Sequence, residues 1–378
     1  MKDSPRKMVI SRTHIATIGV VLLGTVLRLW AAAQGHNFDV ESYAIVAKIM
    51  AEGGNVYNET RRYNYGPVWF HVLHALDLLG PSGPQALRWK VAAFLTLIDI
   101  GILTFLMRQY SLVVGCLFFL NPVSILITGY HSQFDNLAVF LALLAIAYYD
   151  PQKGRANRWV CMAGLGLSLT VKHLLFVFPV WLALKERTWS ARIVVLVTPI
   201  LFFLLSFLPY LPQGAAGIAA NVFLYRSMDN APLWFTVLPD ALLSAGFPMI
   251  GLFITALLAL GWWARHMSPL ESLVYYLIGL VAFTSAMANQ YLAICIPALA
   301  VRWNWVFALY SVVGGAFIAV HGDGLHSQAL HALIGWHGEV GYALEACLLA
   351  AGLVVAILRD RRNERASRPD LQAPLRSV

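Results

Sequence analysis

The stretch LRLWAAAQGHNFDVESYAI (residues 27–45) carries an apolar run to its end and then sets two acids, Asp39 and Glu41, two residues apart. It stands in a chain of 378 residues that is 59% hydrophobic and only 12% charged. Soluble domains carry about a quarter charged residues, so this composition belongs to a membrane protein. A span needs about 20 mainly apolar residues, and segments of that kind recur from residue 13 to residue 358 with short polar breaks. The first run has a basic flank (Lys2, Arg6, Lys7, Arg12) and ends in Ala31, Ala32 and Ala33, as a cleaved leader does. Arg28 inside it, and the many spans behind it, favour an uncleaved first span.

Working outward from that boundary, the expected spans are 13–34, 88–107, 112–129, 137–149, 159–171, 174–184, 192–209, 245–264, 269–286, 291–301, 304–320 and 340–358. The fold class is therefore all-α, a polytopic membrane protein of about twelve transmembrane helices in one domain covering 1–378. With the N-terminus inside, most of the 27 Lys and Arg residues fall in inside segments, which supports both termini being cytoplasmic. The formal charge of +8 then reports topology and not a nucleic-acid partner. Residues 35–87 become a long first outer loop. Within it, DVESYAIVAKIMAEGG (39–54) reads as a short helix ended by glycine. GPVWFHVLHALDLLG (66–80) is too short for a span, contains Asp77 and begins beside Pro67, so it reads as a helix lying at the interface. The arginine-rich tail 359–378 is a solvated cytoplasmic end touching anionic lipid. Cys116, Cys161, Cys295 and Cys347 all fall in expected spans, so no disulfide or zinc framework is indicated.

Five polar clusters gather on the outer side: Asp39 with Glu41, HSQFDN (131–136), Lys172 with His173, RSMDN (226–230), and Asn289 with Gln290 and Tyr291. Left in lipid, such groups cost several kcal/mol, about the price of an unpaired polar group there, so a shared water-lined cavity is the economical reading. Asp99 lies in the middle of the second span and is read as a partner between helices, outside the site. The segment HGDGLHSQALHALIGWHG holds His321, His326, His331 and His337, but its spacing does not stack metal ligands on one helical face.

The order of FDVESY, YNYGPVW, FLNPVSILITGYHSQFDNLAVFLALLAI, LTVKHLLFVFPVW, FLPYLP and ANQYLAICIPAL resembles the membrane-integral GT-C glycosyltransferases. It is most similar to the mannosyltransferases of GPI-anchor assembly and the glucosyltransferases that extend dolichol-linked oligosaccharides. The resemblance covers residues 1 to about 300 and implies a GT-C-like fold, a first outer loop with interfacial helices and an acidic motif, and a polyprenyl-phosphate sugar as donor.

By that resemblance Asp39 is the base that takes the acceptor hydroxyl proton as the anomeric carbon is attacked. Glu41 stands where the family's Asp-x-Asp pattern has its second acid. From local sequence alone, Asp39 also fits a helix N-cap with Glu41 in the first turn, and a capping carboxylate makes a poor base. The departing phosphate needs cations more than a general acid. Arg226 and Lys172 are the candidates, with headgroup contact as the alternative for each, and Gln290 and Tyr291 match the family segment near that phosphate. His131, Gln133 and Asp135 are assigned to sugar or acceptor hydroxyls, or to satisfying helix ends. No resident metal or other cofactor is expected, although Asp39, Glu41 and Asp135 together offer a divalent ion an alternative site.

The function expected is inverting transfer of a hexose, mannose favoured, from a polyprenyl-phosphate donor to a glycan or glycolipid acceptor at the outer face. The membrane favoured is the bacterial inner membrane. The rivals are a transporter or flippase of a lipid-linked glycan, which would place charges near the midplane of two related halves, and a non-catalytic GT-C-like subunit, which would tolerate loss of Asp39.

Overall fold

The first apolar run forms α1 (Arg12–Ala33), and the polar stretch behind it folds into three short helices where two are expected: α2 (Phe38–Ala51), α3 (Val56–Glu59) and α4 (Val68–Asp77). There follow α5 (Pro84–Gln109), α6 (Leu112–Phe119), α7 (Pro122–Leu126), α8 (Asp135–Tyr148) and α9 (Arg155–Val171). This computed structural model describes residues 12–366 apart from 82, 226–227, 229, 245–247, 322–324, 326–328, 330–331 and 333–337, and its regular structure is helical throughout the described residues. Arg226 and most of the histidine-rich segment 321–338 therefore lie outside the described residues.

Five described helical stretches are long and apolar enough to cross a membrane unaided: Thr13–Ala33, Pro84–Gln109, Trp189–Phe223, Met249–His266 and Gly338–Asn363. A sixth arises if α6 and the helix Pro122–His131 act as one span, bent by 50° between them. Asp135–Tyr148, Pro269–Ala282, Tyr291–Val301 and Trp305–Val320 are apolar but shorter. The multi-pass character is thus plain, while the full set of twelve crossings is not reproduced by helix length alone. The reason is local. Asn121 caps α7 by accepting from Val123 N, and Pro122 occupies the first position, so the apolar run 112–129 is two helices.

A buried charge cluster holds the first helices together. Arg28 is completely buried in α1; its Nε donates to Asp99 Oδ2 of α5 at 2.8 Å, its Nη1 to the Phe119 carbonyl, and its Nη2 to Ser124 Oγ of α7. Asp99 also accepts from Thr128 Oγ1 at 2.7 Å and from Asn136 Nδ2 of α8 at 2.7 Å. One guanidinium and one carboxylate so register α1, α5, α7 and α8, as the intramembrane reading of Asp99 expects. Beyond α7 the chain makes a π-helical turn, Ile127–His131, which packs on the backbone of α1. Gly129 is needed there, because a Cβ would collide with the Arg28 carbonyl. Ser132 then adopts a left-handed conformation, φ 51° and ψ 41°, and turns His131 and Gln133 back toward the start of α2.

Candidate active site

The acidic motif sits where α2 begins. Asn37, not Asp39, is the N-cap: its Oδ1 accepts from Asp39 N at 3.2 Å. Asp39 occupies the second helical position, so its carboxylate is not consumed by capping. Asp39 is partly exposed. Its Oδ2 accepts from Asn37 Nδ2 at 3.3 Å and from Gln133 Nε2 in a short contact. Oδ1 carries no hydrogen bond among the described residues.

Asn37 also fixes a neighbour. Its Nδ2 lies 2.9 Å from His131 Nδ1, so that ring nitrogen is the acceptor and Nε2 carries the proton in this arrangement. His131 and Gln133 are both buried beside Asp39, brought there by the π turn and the left-handed Ser132. Two of the residues assigned to substrate hydroxyls thus touch or adjoin Asp39.

Glu41 goes elsewhere. Two residues along a helix, it points away from Asp39 and pairs with Arg62 at 3.5 Å, with its side chain more than half exposed. Arg62 is otherwise held by Ser42 Oγ and the Phe38 carbonyl, and its guanidinium lies 3.6 Å over the Phe38 ring. Sequence reasoning had no signal for this partner, which arrives from the far end of α3.

Lys172 and Asp135, expected on donor phosphate and on sugar respectively, join each other. Lys172 Nζ donates to Asp135 Oδ2 at 2.7 Å, and both side chains are buried. Lys172 stands in an extended residue that ends α9, so the helix break delivers its side chain inward. The ammonium also lies 5.1 Å from the Tyr65 ring, 5.2 Å from Phe134 and 5.8 Å from Tyr291, a set of π faces that attract a poorly hydrated cation. Tyr291 therefore belongs to the cluster, whereas no hydrogen bond among the described residues ties the Gln290 side chain to it.

Tyr65 is the residue the sequence reading passed over. It follows Tyr63 and precedes Gly66, whose Cα sits so close to the Thr170 backbone that a Cβ would overlap it. That approach sets Tyr65 edge-on to Phe134, ring centroids 4.8 Å apart, while Trp69 stacks on the same Phe134 at 4.2 Å. Burial first, and then the carboxylates of Asp39 and Asp135, hold the Tyr65 phenol well above its usual range. Tyr43, on α2, is raised by burial and by the same two acids. Both phenols stay protonated near pH 7 and are donors, not bases.

The set Asp39, Glu41 and Asp135 does not converge on one point: amides hold the first, Arg62 the second and Lys172 the third. Among the described residues no three His, Cys, Asp or Glu side chains form a metal-holding group.

Against known proteins, the crystal structure of ArnT from Cupriavidus metallidurans in the apo state superposes with a TM-score of 0.51 at 16% identity, over 92% of this chain and 77% of that one. The chain shares the fold of that protein. No family model and no curated protein sequence matches it. The likeness to GPI-anchor and dolichol-linked enzymes accordingly rests on the quoted motifs alone, and the structure adds a shared fold. The acidic start of α2 meets the π turn after α7, and Lys172 at the end of α9 lies beside Asp135, Tyr65 and Tyr291.

Proposed function

We propose that this chain is an inverting glycosyltransferase that moves a hexose, mannose favoured, from a polyprenyl-phosphate carrier to a hydroxyl of a glycan or glycolipid at the outer face of a bacterial inner membrane. One observation carries the reading. Among the described residues, Asp99, Asp135 and Glu41 are each paired with a cation, and Asp39 is held by neutral amides with one oxygen unengaged.

The chemistry follows from that oxygen. As the acceptor hydroxyl attacks the anomeric carbon, its proton passes to Asp39 Oδ1 while its electron pair forms the new C–O bond. The bond from the anomeric carbon to the phosphate oxygen breaks on the opposite face, and the polyprenyl phosphate leaves with that electron pair. A single displacement of this kind inverts the anomeric centre. Asn37 and Gln133 aim the base, and the Tyr65 and Tyr43 phenols are donors within its surroundings. Lys172, neutralised by Asp135, adds a buried dipole more than a free charge, so Arg226 is the stronger candidate for direct contact with the donor phosphate.

The test compares envelope glycolipids by mass spectrometry in cells lacking the gene and in cells given back wild type or Asp39→Asn at matched membrane abundance. Wild type is expected to restore a missing hexose, and Asp39→Asn to transfer at a rate lower by about 10²–10⁴, the usual worth of a positioned base. Equal rescue by both proteins would reject Asp39 as the base and favour a supporting subunit.

A further inference from the structure

Behind Gln133 lies a small cavity of about 20 Å³, bordered by Ser124, Gln133, Asp135, Asn136 and Asp99 and closed on its apolar side by residues that include Val139 and Ala293. Three oxygens of this group are buried with no hydrogen-bond partner among the described residues: Gln133 Oε1, Asp135 Oδ1 and Asn136 Oδ1. Gln133 and Asp135 are themselves 1% and 2% exposed. Buried acceptors are left unpaired rarely, because each costs about 1–3 kcal/mol.

Neither amide relieves this by turning over. Asn136 Nδ2 donates to Asp99 Oδ1 and to the Leu95 carbonyl, and Gln133 Nε2 donates to Asp39 Oδ2. Exchanging O for N in either would set oxygen against oxygen. Ser124 supplies the complementary group: its Oγ accepts from Arg28 and keeps its own hydroxyl proton to give.

We propose that this cavity binds one water, which accepts from Ser124 and donates to Gln133 Oε1 and Asp135 Oδ1, with Asn136 Oδ1 sharing the second proton. A water needs about 10–15 Å³ and makes about three such bonds, and the site offers both. A cation fits the charges poorly. Asp99 and Asp135 are each matched by a buried cation, Arg28 at 2.8 Å and Lys172 at 2.7 Å, so a further positive charge would stand uncompensated in a low-dielectric interior.

The water makes Ser124, Asp135 and Asn136 positioning residues. It holds the Gln133 carbonyl inward and therefore its NH₂ outward on Asp39, joining the Lys172–Asp135 pair to the base through one movable molecule. This second consequence rests on the transferase reading; the site itself does not.

Two measurements on the full chain in lipid nanodiscs decide the matter. In a density map that shows ordered solvent, one peak is expected in the cavity, about 2.7–3.2 Å from the named oxygens. A cavity without a peak, or a peak at about 2.0–2.6 Å with six or more oxygen neighbours as for a bound ion, overturns the proposal, whatever reaction the protein performs. The second measurement fills the cavity from its apolar side with Ala293→Val, leaving every polar group in place. Turnover on the glycolipid identified by the gene deletion is expected to fall about tenfold, the worth of one hydrogen bond, with acceptor KM unchanged and Ala293→Gly behaving as wild type. Wild-type turnover in a folded Ala293→Val whose map shows the cavity filled would overturn the positioning role. If that variant does not fold, Val139→Ile, at another apolar lining residue, serves the same test.

Discussion

Asp39 is the residue on which the functional reading turns, and its availability depends on Asn37 taking over the cap. The two duties of Asn37 are separable. Asn37→Ala removes the cap and one donor to Asp39, and is expected to lower stability by about 0.5–2 kcal/mol. Asn37→Asp keeps a good cap, yet it replaces the NH₂ that contacts both Asp39 Oδ2 and His131 Nδ1 with a second carboxylate. Thermal unfolding of Asn37→Asp should stay near wild type while glycolipid transfer falls at least tenfold, about the loss of one charge-assisted hydrogen bond; Glu41→Gln, which loosens only an exposed ion pair worth about 0–1 kcal/mol, should leave both near wild type. Transfer lost equally in Glu41→Gln would return Glu41 to the reacting centre. At this scale the sequence was partly legible. FDVESY pointed to Asp39 because the acid stands where an apolar run ends. Choosing between Asn37 and Asp39 as cap depends on backbone angles that two capping-competent residues flanking Phe38 do not disclose, and the pairing of Glu41 with Arg62 is a tertiary contact with no local signature.

Broken elements place the remaining groups. The stop after α9 falls where the sequence reading ended a span, at residue 171, whereas the break before α7 lies inside a run read as one span, 112–129, although Asn121-Pro122 marks it. The π turn at Ile127–His131 has no comparable mark. Nor does the continuation of the helical path through Trp189–Phe223: Pro209 and Pro212 look like a terminus, but each falls in the first turn of a new short helix, where a missing N–H is harmless. Sequence periodicity therefore located apolar segments well and their internal breaks poorly. The break at Lys172 makes the Lys172–Asp135 bond a test of how elements are joined. Lys172→Met alone leaves a buried carboxylate unpaired and should destabilise by about 3–5 kcal/mol. Asp135→Leu alone should do likewise by stranding the ammonium, and the double variant should recover most of that loss, in a cycle followed by thermal unfolding. Additive losses would mean that the two side chains do not act as a pair.

At the scale of the whole molecule the all-helical, multi-pass fold was legible from the recurrence of apolar segments, since each must satisfy its own backbone in lipid. The number of crossings was less legible, because several apolar segments are helices too short to span unaided and depend on their neighbours for depth in the bilayer. Sidedness follows from charge asymmetry and can be measured directly. The native thiols Cys116, Cys161, Cys295 and Cys347 are all free, so a background with each replaced by Ala allows single reporters. Asn58, at the α3 end of the site, and Gln152, between α8 and α9, are both exposed. In intact cells a membrane-impermeant maleimide should label Asn58→Cys and spare Gln152→Cys, which should react only after the membrane is opened. The reverse pattern would put Asp39 in the cytoplasm. There water-soluble nucleotide sugars compete as donors, and the case for a lipid-borne phosphate would lose its main physical reason, namely that a sugar on the outer face has to travel there attached to something the bilayer can hold.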